Sequence, residues 1–152
     1  MFDLPNVRYN LDLANRIRST GYEVYCPNEN SSINDKSRSD ITPERVYLAD
    51  VDELMSSNIF LCQVAEDSGT MWEAGFMDCL ARHVDSARYL GVIGLATDIR
   101  LSTLPDPKKM GADNQAWALN AFISGGLKSS LGLYLNESDL FARLGQLLGG
   151  SR

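Results

Sequence analysis

The chain has 152 residues and a mass of 16.8 kDa, with 44% hydrophobic and 22% charged residues, the composition of an ordinary globular domain. Its 20 acidic side chains outnumber the 14 basic ones, which gives a net charge of −6. Such a surface repels phosphate backbones, so we exclude nucleic-acid polymers as partners. No apolar run reaches the ~20 residues of a membrane span, and residues 1–20 are too polar for a signal peptide. We therefore expect one cytoplasmic domain over residues 1–152, with no membrane partner.

Chemistry in this chain has to come mainly from carboxylates, amides and hydroxyls. The three cysteines stand far apart with no CxxC pair, and His83 is the single histidine, which is too little for a zinc site. The odd, scattered cysteine count is typical of reduced cytosolic thiols. Cys62 lies in an apolar run and is predicted to be a core residue. We therefore expect neither a metal nor a cofactor.

Helical and extended patterns alternate along the chain. Apolar residues recur at helical spacing in the N-terminal segment, where Pro5 suits a first turn and Gly21 a stop. The near-continuous apolar run 59–64 is typical of a parallel strand that is covered on both faces. The predicted elements are, in order, helix 4–17, strand 23–26, the polar loop 28–41, helix 42–56 capped by Thr42, strand 59–64, loop 65–70, helix 71–82, strand 89–95, loop 98–113, helix 115–127, strand 131–135 and a helix from Ser138.

This alternation predicts an α/β fold, a Rossmann- or flavodoxin-like three-layer sandwich with a parallel sheet. A doubly wound sheet normally begins with a strand, whereas this sequence enters a helix at Leu4 almost at once. We therefore expect the usual first strand to be missing. Without a central strand its two neighbours keep unpaired backbone groups, so the sheet should close up, recruit a strand or be unstable.

The loop that follows strand 59–64 carries the most informative segment. We expect a tight turn with positive φ at Gly69, a helix cap from Ser68 or Thr70, and Glu73 in the first helical turn. The positive end of the helix dipole favours an ionised carboxylate there, which is what a nucleophile needs. Thr70 and Glu73 also match a capping box, so capping and chemistry are both open.

Polar residues elsewhere are further candidates. Asp50 and Asp52 lie inside a predicted helix, where aspartate is disfavoured, so they either serve a site or form a solvated face. Asn120 lies in an apolar helical stretch and either needs a buried partner or points outwards. Asp98 and Arg100 follow a predicted strand, where an ion pair between them would shape the loop.

Taken together, these segments resemble the nucleoside 2-deoxyribosyltransferase family over nearly the whole chain. The most specific element is a D-x-G-x-x-x-E-x-G pattern after a buried strand, with a helical aspartate about 17 residues before it. The segments that carry the resemblance are Phe2-Asp3-Leu4-Pro5, Tyr25-Cys26-Pro27-Asn28, Asp50, the run from Asp67 to Gly75, Asp98-Ile99-Arg100 and Asn120-Ala121-Phe122.

The resemblance implies a role for each matched residue. Glu73 is the expected nucleophile, Asp50 the expected proton donor to the base, and Asp67 the expected ligand of the sugar hydroxyls. Asn120 is expected to bind the 5′-hydroxyl in a neighbouring subunit's site, which implies a homo-oligomer. The other substrate-binding residues expected from these motifs are Gly69, Phe122, Phe2 and Asn28.

The implied reaction exchanges the nucleobase of a 2′-deoxynucleoside. Glu73 attacks C1′ to form a covalent deoxyribosyl-enzyme while Asp50 protonates the leaving base, and a free nucleobase then takes the sugar with retention and without a cofactor. One alternative is a 2′-deoxynucleoside 5′-phosphate N-glycosidase, in which Ser37 and Arg38 would bind the phosphate. Another is a catalytically inactive nucleoside-binding relative. The choice between purine and pyrimidine acceptors is also open.

Overall fold

The computed structural model describes residues 4–35, 37–64, 67–97 and 119–150. The predictions for Phe2, for the ion pair of Asp98 and Arg100, and for the loop 98–113 therefore lie outside the described residues. The chain divides into two compact units, Met1–Glu53 and Leu54–Arg152, and each is described by itself. Within the described residues, no helix has both the length and the apolar character needed to cross a membrane.

The N-terminal unit contains helices joined by an irregular segment. Helix α1, Leu4–Arg18, buries one face and is followed by Gly21, whose φ of 106° is the left-handed conformation that glycine adopts freely. The segment predicted as a long loop contains a 3₁₀ turn, Pro27–Glu29, and a short helix α2, Ser31–Asn34. Helix α3 begins at Pro43 and runs to Ser56. The predicted Thr42 cap is confirmed, because its hydroxyl accepts the backbone N–H of Arg45 at 3.2 Å.

The predicted strand 23–26 is wrong, because residues 22–26 have no regular secondary structure. The backbone at Cys26 is extended, with φ −121° and ψ 113°. However, the Val24 carbonyl oxygen accepts a hydrogen bond from the Arg18 guanidinium at 2.7 Å rather than from another strand. A residue pattern predicts an extended backbone, but a strand also needs a neighbouring strand whose backbone groups can form hydrogen bonds with it.

A parallel three-stranded sheet forms the centre of the C-terminal unit. Its strands are β1, Ile59–Gln63, β2, Gly91–Leu95, and β3, Gly132–Tyr134, and they lie side by side in that order. The register pairs Ile59 with Gly91 and Ile93 with Gly132. Every residue of β2 is buried, as expected for a strand covered on both faces. The predicted α/β fold with a parallel sheet is thus confirmed.

Three helices pack against this sheet. They are α4, Ser68–Cys79, which continues into a π-helical turn, Leu80–Val84, then α5, Ala121–Ser129, and α6, Glu137–Gly149. Helix α4 contacts β1 and β2, α5 contacts β2 and β3, and α6 contacts β3. The largest fully buried side chains of the unit are Met77, Ile93, Leu95, Leu140, Val92 and Cys62. The prediction that Cys62 is a core residue is confirmed.

Candidate functional site

Asp67 is the N-cap of α4. Its Oδ2 accepts the backbone N–H of Thr70 at 2.9 Å and the Thr70 hydroxyl at 2.7 Å. These two hydrogen bonds favour the ionised carboxylate and hold the pKa of Asp67 below its ordinary value. The predicted cap at Ser68 or Thr70 is wrong, because both residues already lie inside the helix. Aspartate accepts the third backbone N–H of a helix as well as serine does, so the helix starts three residues earlier than predicted.

Gly69 lies in the first turn of α4 rather than in the left-handed turn that the sequence predicted. Among the described glycines, positive φ occurs at Gly21, Gly91 and Gly132. A Cβ at Gly69 would lie 3.3 Å from Asp67 Oδ2. Glycine at this position therefore leaves open space beside the capping carboxylate.

Glu73 lies in the second turn of α4, on the face that packs into the core. The predicted position in the first turn is wrong, because the helix begins at Ser68. The capping box is also wrong, since Asp67 rather than Thr70 caps the helix. Met77, one turn after Glu73 on the same face, is 0% exposed, and Glu73 itself is half-buried.

The charge of Glu73 acts on Cys62, a residue of strand β1. Burial raises the pKa of the Cys62 thiol to about 12, and the negative charge of Glu73 adds to this rise. Cys62 is the fourth of the five residues of β1, so the Glu73 carboxylate lies near the carboxyl end of that strand. In parallel α/β sheets, ligands bind at this edge.

Asn120 and Phe122 lie at the start of α5. Asn120 is the N-cap, and its Oδ1 accepts the backbone N–H of Phe122 at 2.9 Å. The prediction that Asn120 lies inside a helix 115–127 is wrong, because the helix begins at Ala121; residues 115–118 lie outside the described residues. Since α5 leads directly into β3, its start lies at the same edge of the sheet as the start of α4.

Asp50, in the N-terminal unit, differs from its neighbour Asp52. Asp52 is exposed, as a solvated face predicts, whereas Asp50 is half-buried in α3. Burial raises the pKa of Asp50, and the negative charge of Glu53 raises it further. Within the described part of the chain, no residue forms a hydrogen bond or an ion pair with the Asp50 carboxyl. Asp50 is thus suited to carry a proton.

Tyr25 and Asn30 form a polar pair that was not among the predicted site residues. The Asn30 amide donates a hydrogen bond to the Tyr25 hydroxyl at 3.0 Å. Burial raises the pKa of Tyr25, and the charges of Asp50 and Glu53 contribute to the rise. The sequence signal was the Asn-Ser-Ser run at 30–32, which is typical of an asparagine cap. The predicted ligand Asn28 lies in the same irregular segment, where its Oδ1 accepts from the Asn10 amide at 3.2 Å.

Ser37 and Arg38, the residues considered as phosphate ligands, already form hydrogen bonds with carboxylates of the same segment. The Ser37 hydroxyl donates to Asp35 at 2.6 Å. The Arg38 guanidinium forms two hydrogen bonds with Asp40, at 2.9 and 2.6 Å. These contacts do not favour the phosphate-binding alternative.

The comparisons with known proteins bear on the fold. No protein-family model matches the sequence, and no curated protein matches it either. A solved structure, that of a conserved protein from Enterococcus faecalis V583, aligns with a TM-score of 0.70 and 27% sequence identity. The alignment covers 95% of this chain and 92% of that one. The chain therefore shares its α/β fold with that protein.

Proposed function

We propose that this protein is a nucleoside 2-deoxyribosyltransferase, which moves the sugar of a 2′-deoxynucleoside from one nucleobase to another. The observation that carries the proposal is the position of Glu73. It is a half-buried carboxylate on the core-facing side of α4, near the carboxyl end of β1. The inward face of a helix is normally apolar, so a carboxylate there is a candidate for chemistry.

In the first step, a Glu73 carboxylate oxygen attacks C1′ of the sugar. The C1′–O bond forms as the C1′–N bond breaks, and Asp50 gives its proton to the leaving base. The raised pKa of Asp50 supports this role, because the carboxyl keeps its proton closer to neutral pH.

In the second step, a nitrogen of the incoming base attacks C1′ and displaces Glu73 as a free carboxylate. The incoming base returns one N–H proton to Asp50, so the two steps balance and the configuration at C1′ is retained. Both hydrogen bonds from Thr70 go to Oδ2 of Asp67, which leaves its Oδ1 to accept a sugar hydroxyl. No external oxidant, reductant or cofactor enters either step.

The proposed assembly is a homo-oligomer. Phe122 is 89% exposed at the start of α5, and Trp72 is 71% exposed in α4. The two helices lie side by side, because Arg82 at the end of the α4 segment donates to the Ser129 hydroxyl of α5 at 2.8 Å. Large aromatic side chains with this exposure are typical of interaction surfaces. A second copy of the chain that covers Phe122 would also contact Asn120, which lies two residues earlier.

The experiment is a base-exchange assay with a deoxynucleoside and a different free base, followed by chromatography of the new deoxynucleoside. The wild type is expected to exchange, and Glu73→Gln to lose activity by roughly 10³-fold or more with an unchanged melting curve. Glu23→Gln, at an exposed glutamate outside the helices, is the matched control and should retain full activity.

The products of the assay also distinguish the transferase from the two alternative functions. Release of free base and sugar without exchange would instead support a hydrolase. Binding of deoxynucleosides without turnover would support an inactive relative. Unchanged exchange in Glu73→Gln would contradict the assigned nucleophile.

A further inference from the structure

Thr70 is joined to the carboxylate of Asp67 by its side chain as well as by its backbone. The Thr70 hydroxyl donates to Oδ2 of Asp67 at 2.7 Å, and the Thr70 backbone N–H donates to the same oxygen at 2.9 Å. A helix cap needs only the bond from the backbone N–H. The bond from the hydroxyl is therefore a second constraint, which restricts the rotation of the carboxyl group.

These two hydrogen bonds make the two oxygens of Asp67 different from each other. A carboxylate oxygen has about two lone-pair positions, and Thr70 occupies both positions of Oδ2. Among the described residues, no donor forms a hydrogen bond with Oδ1. Because Asp67 is half-buried and its other oxygen is held, Oδ1 presents its lone pairs to a ligand in a fixed direction.

Gly69 leaves the space that this orientation of the carboxylate requires. A Cβ at Gly69 would lie 3.3 Å from Oδ2 of Asp67, closer than an ordinary van der Waals contact. The backbone does not require glycine there, because Gly69 is helical and is not among the glycines with positive φ. Alanine would favour the helix more than glycine does. What glycine supplies at this position is therefore room beside the carboxylate.

Thr70 also lies next to the proposed nucleophile. Thr70 and Glu73 are three residues apart in α4, and both side chains are half-buried, so they share the inward face of the helix. Side chains at this spacing have Cβ atoms about 5–6 Å apart. Thr70 thus lies between Asp67 and Glu73, and one sugar ring can contact both carboxylates.

We propose that Thr70 is a positioning residue, which directs Oδ1 of Asp67 towards the 3′-hydroxyl of a 2′-deoxynucleoside. This inference rests on the proposed function. The sugar of a 2′-deoxynucleoside has two hydroxyls, and the 5′-hydroxyl is assigned to Asn120. The 3′-hydroxyl can donate its hydrogen to Oδ1, whereas a 3′-phosphate would be repelled by the carboxylate. The preferred ligands are therefore nucleosides with a free 3′-hydroxyl.

The test measures equilibrium binding of thymidine and 2′-deoxyadenosine, each compared with its 2′,3′-dideoxy analogue, by calorimetry in a Glu73→Gln background that prevents turnover. This parent protein should bind the 2′-deoxynucleoside about tenfold more tightly than its analogue, the size of one hydrogen bond to a charged acceptor. Thr70→Val keeps the backbone N–H and removes the hydroxyl, so the preference should fall to about threefold while binding of the analogue is unchanged. Thr70→Ser should restore the tenfold preference.

Gly69→Ala tests the same orientation without removing a hydrogen-bond donor. Its melting temperature should not fall, because alanine favours a helix more than glycine does. The added Cβ would displace the carboxylate of Asp67, so the preference for the 3′-hydroxyl should fall as it does in Thr70→Val. A weaker preference at unchanged or higher stability is a result that a purely structural role of the cap would not produce.

Ser68→Ala removes an exposed hydroxyl from the same helical turn, and this matched control should keep the tenfold preference. An unchanged preference in Thr70→Val, an equal loss of affinity for both members of a pair, or failure of all four nucleosides to bind would overturn the inference. If Thr70→Val does not fold, Gly69→Ala decides. A Thr70-dependent preference in a chain that exchanges no bases would uphold this inference while rejecting the transferase. Exchange without that preference would do the reverse.

Discussion

At the scale of single residues, the three candidate carboxylates occupy different environments. Two hydrogen bonds from Thr70 lower the pKa of Asp67, whereas burial raises the pKa of the half-buried Asp50. Glu73 lies on the inward face of a helix near the end of a strand. Environments that separate the pKa values of carboxyl groups allow one to bind or attack as an anion and another to donate a proton.

The charge of Glu53 should tune the pH dependence of the reaction. This charge disfavours ionisation of Asp50, so Glu53→Gln should lower the pKa of Asp50. Because the reaction uses protonated Asp50, the alkaline limb of kcat/KM should move to lower pH. The measurement is the pH profile of base exchange, with exposed Glu44→Gln on the same helix as the control. A limb that stays in place or moves to higher pH would contradict the assignment of Asp50.

At the scale of secondary structure, what could be predicted depended on how local each signal is. Helical spacing and apolar runs are local, and they located the sheet strands and most helices. Whether residues 23–26 form a strand could not be predicted from the sequence, because strand pairing depends on which other segment lies next to these residues in the folded chain. The cap of α4 could not be chosen by spacing, since Asp67, Ser68 and Thr70 are all competent caps. Likewise, the contact between Tyr25 and Asn30 depends on the intervening 3₁₀ turn.

The cap at Asp67 should stabilise the fold in a pH-dependent way. Its pKa is lower in the folded chain than in the unfolded one, so the contribution is present above the unfolded value of about 4 and is lost as pH falls through the folded value. Asp67→Asn keeps an acceptor for the Thr70 N–H but loses the charge at the start of the helix, so it should lower the free energy of unfolding by about 0.5 kcal/mol near neutral pH. This difference should shrink on acidification.

Urea unfolding of wild type and Asp67→Asn at a series of pH values measures this effect. Asp52→Asn, at an exposed helical aspartate, serves as the control. A constant difference between the two proteins at every pH would mean that the charge of Asp67 does not contribute.

At the scale of the whole molecule, the proposed homo-oligomer assembles through the start of α5. Phe122→Glu should shift the protein towards monomers, because a charge in an apolar contact loses its hydration. The stability of the monomer itself should change by less than about 0.5 kcal/mol, since Phe122 is 89% exposed.

Sedimentation velocity at micromolar concentration measures the assembly. Val84→Glu, at a 66% exposed position in the turn that ends the α4 segment, is the control and should sediment like wild type. A wild type that is already monomeric, or a Phe122→Glu variant that sediments unchanged, would refute assembly through this surface.

The central claim, that Glu73 carries the sugar, is tested most directly by trapping the intermediate. The protein is mixed with a deoxynucleoside in the absence of acceptor base, quenched in acid, and measured by intact mass spectrometry and peptide mapping. We expect a mass increase of one deoxyribosyl group on the peptide that contains Glu73. The adduct should be absent in Glu73→Gln and should disappear when an acceptor base is added before the quench. A sugar attached to another residue, or exchange that proceeds with no adduct at all, would contradict the claim that Glu73 is the nucleophile.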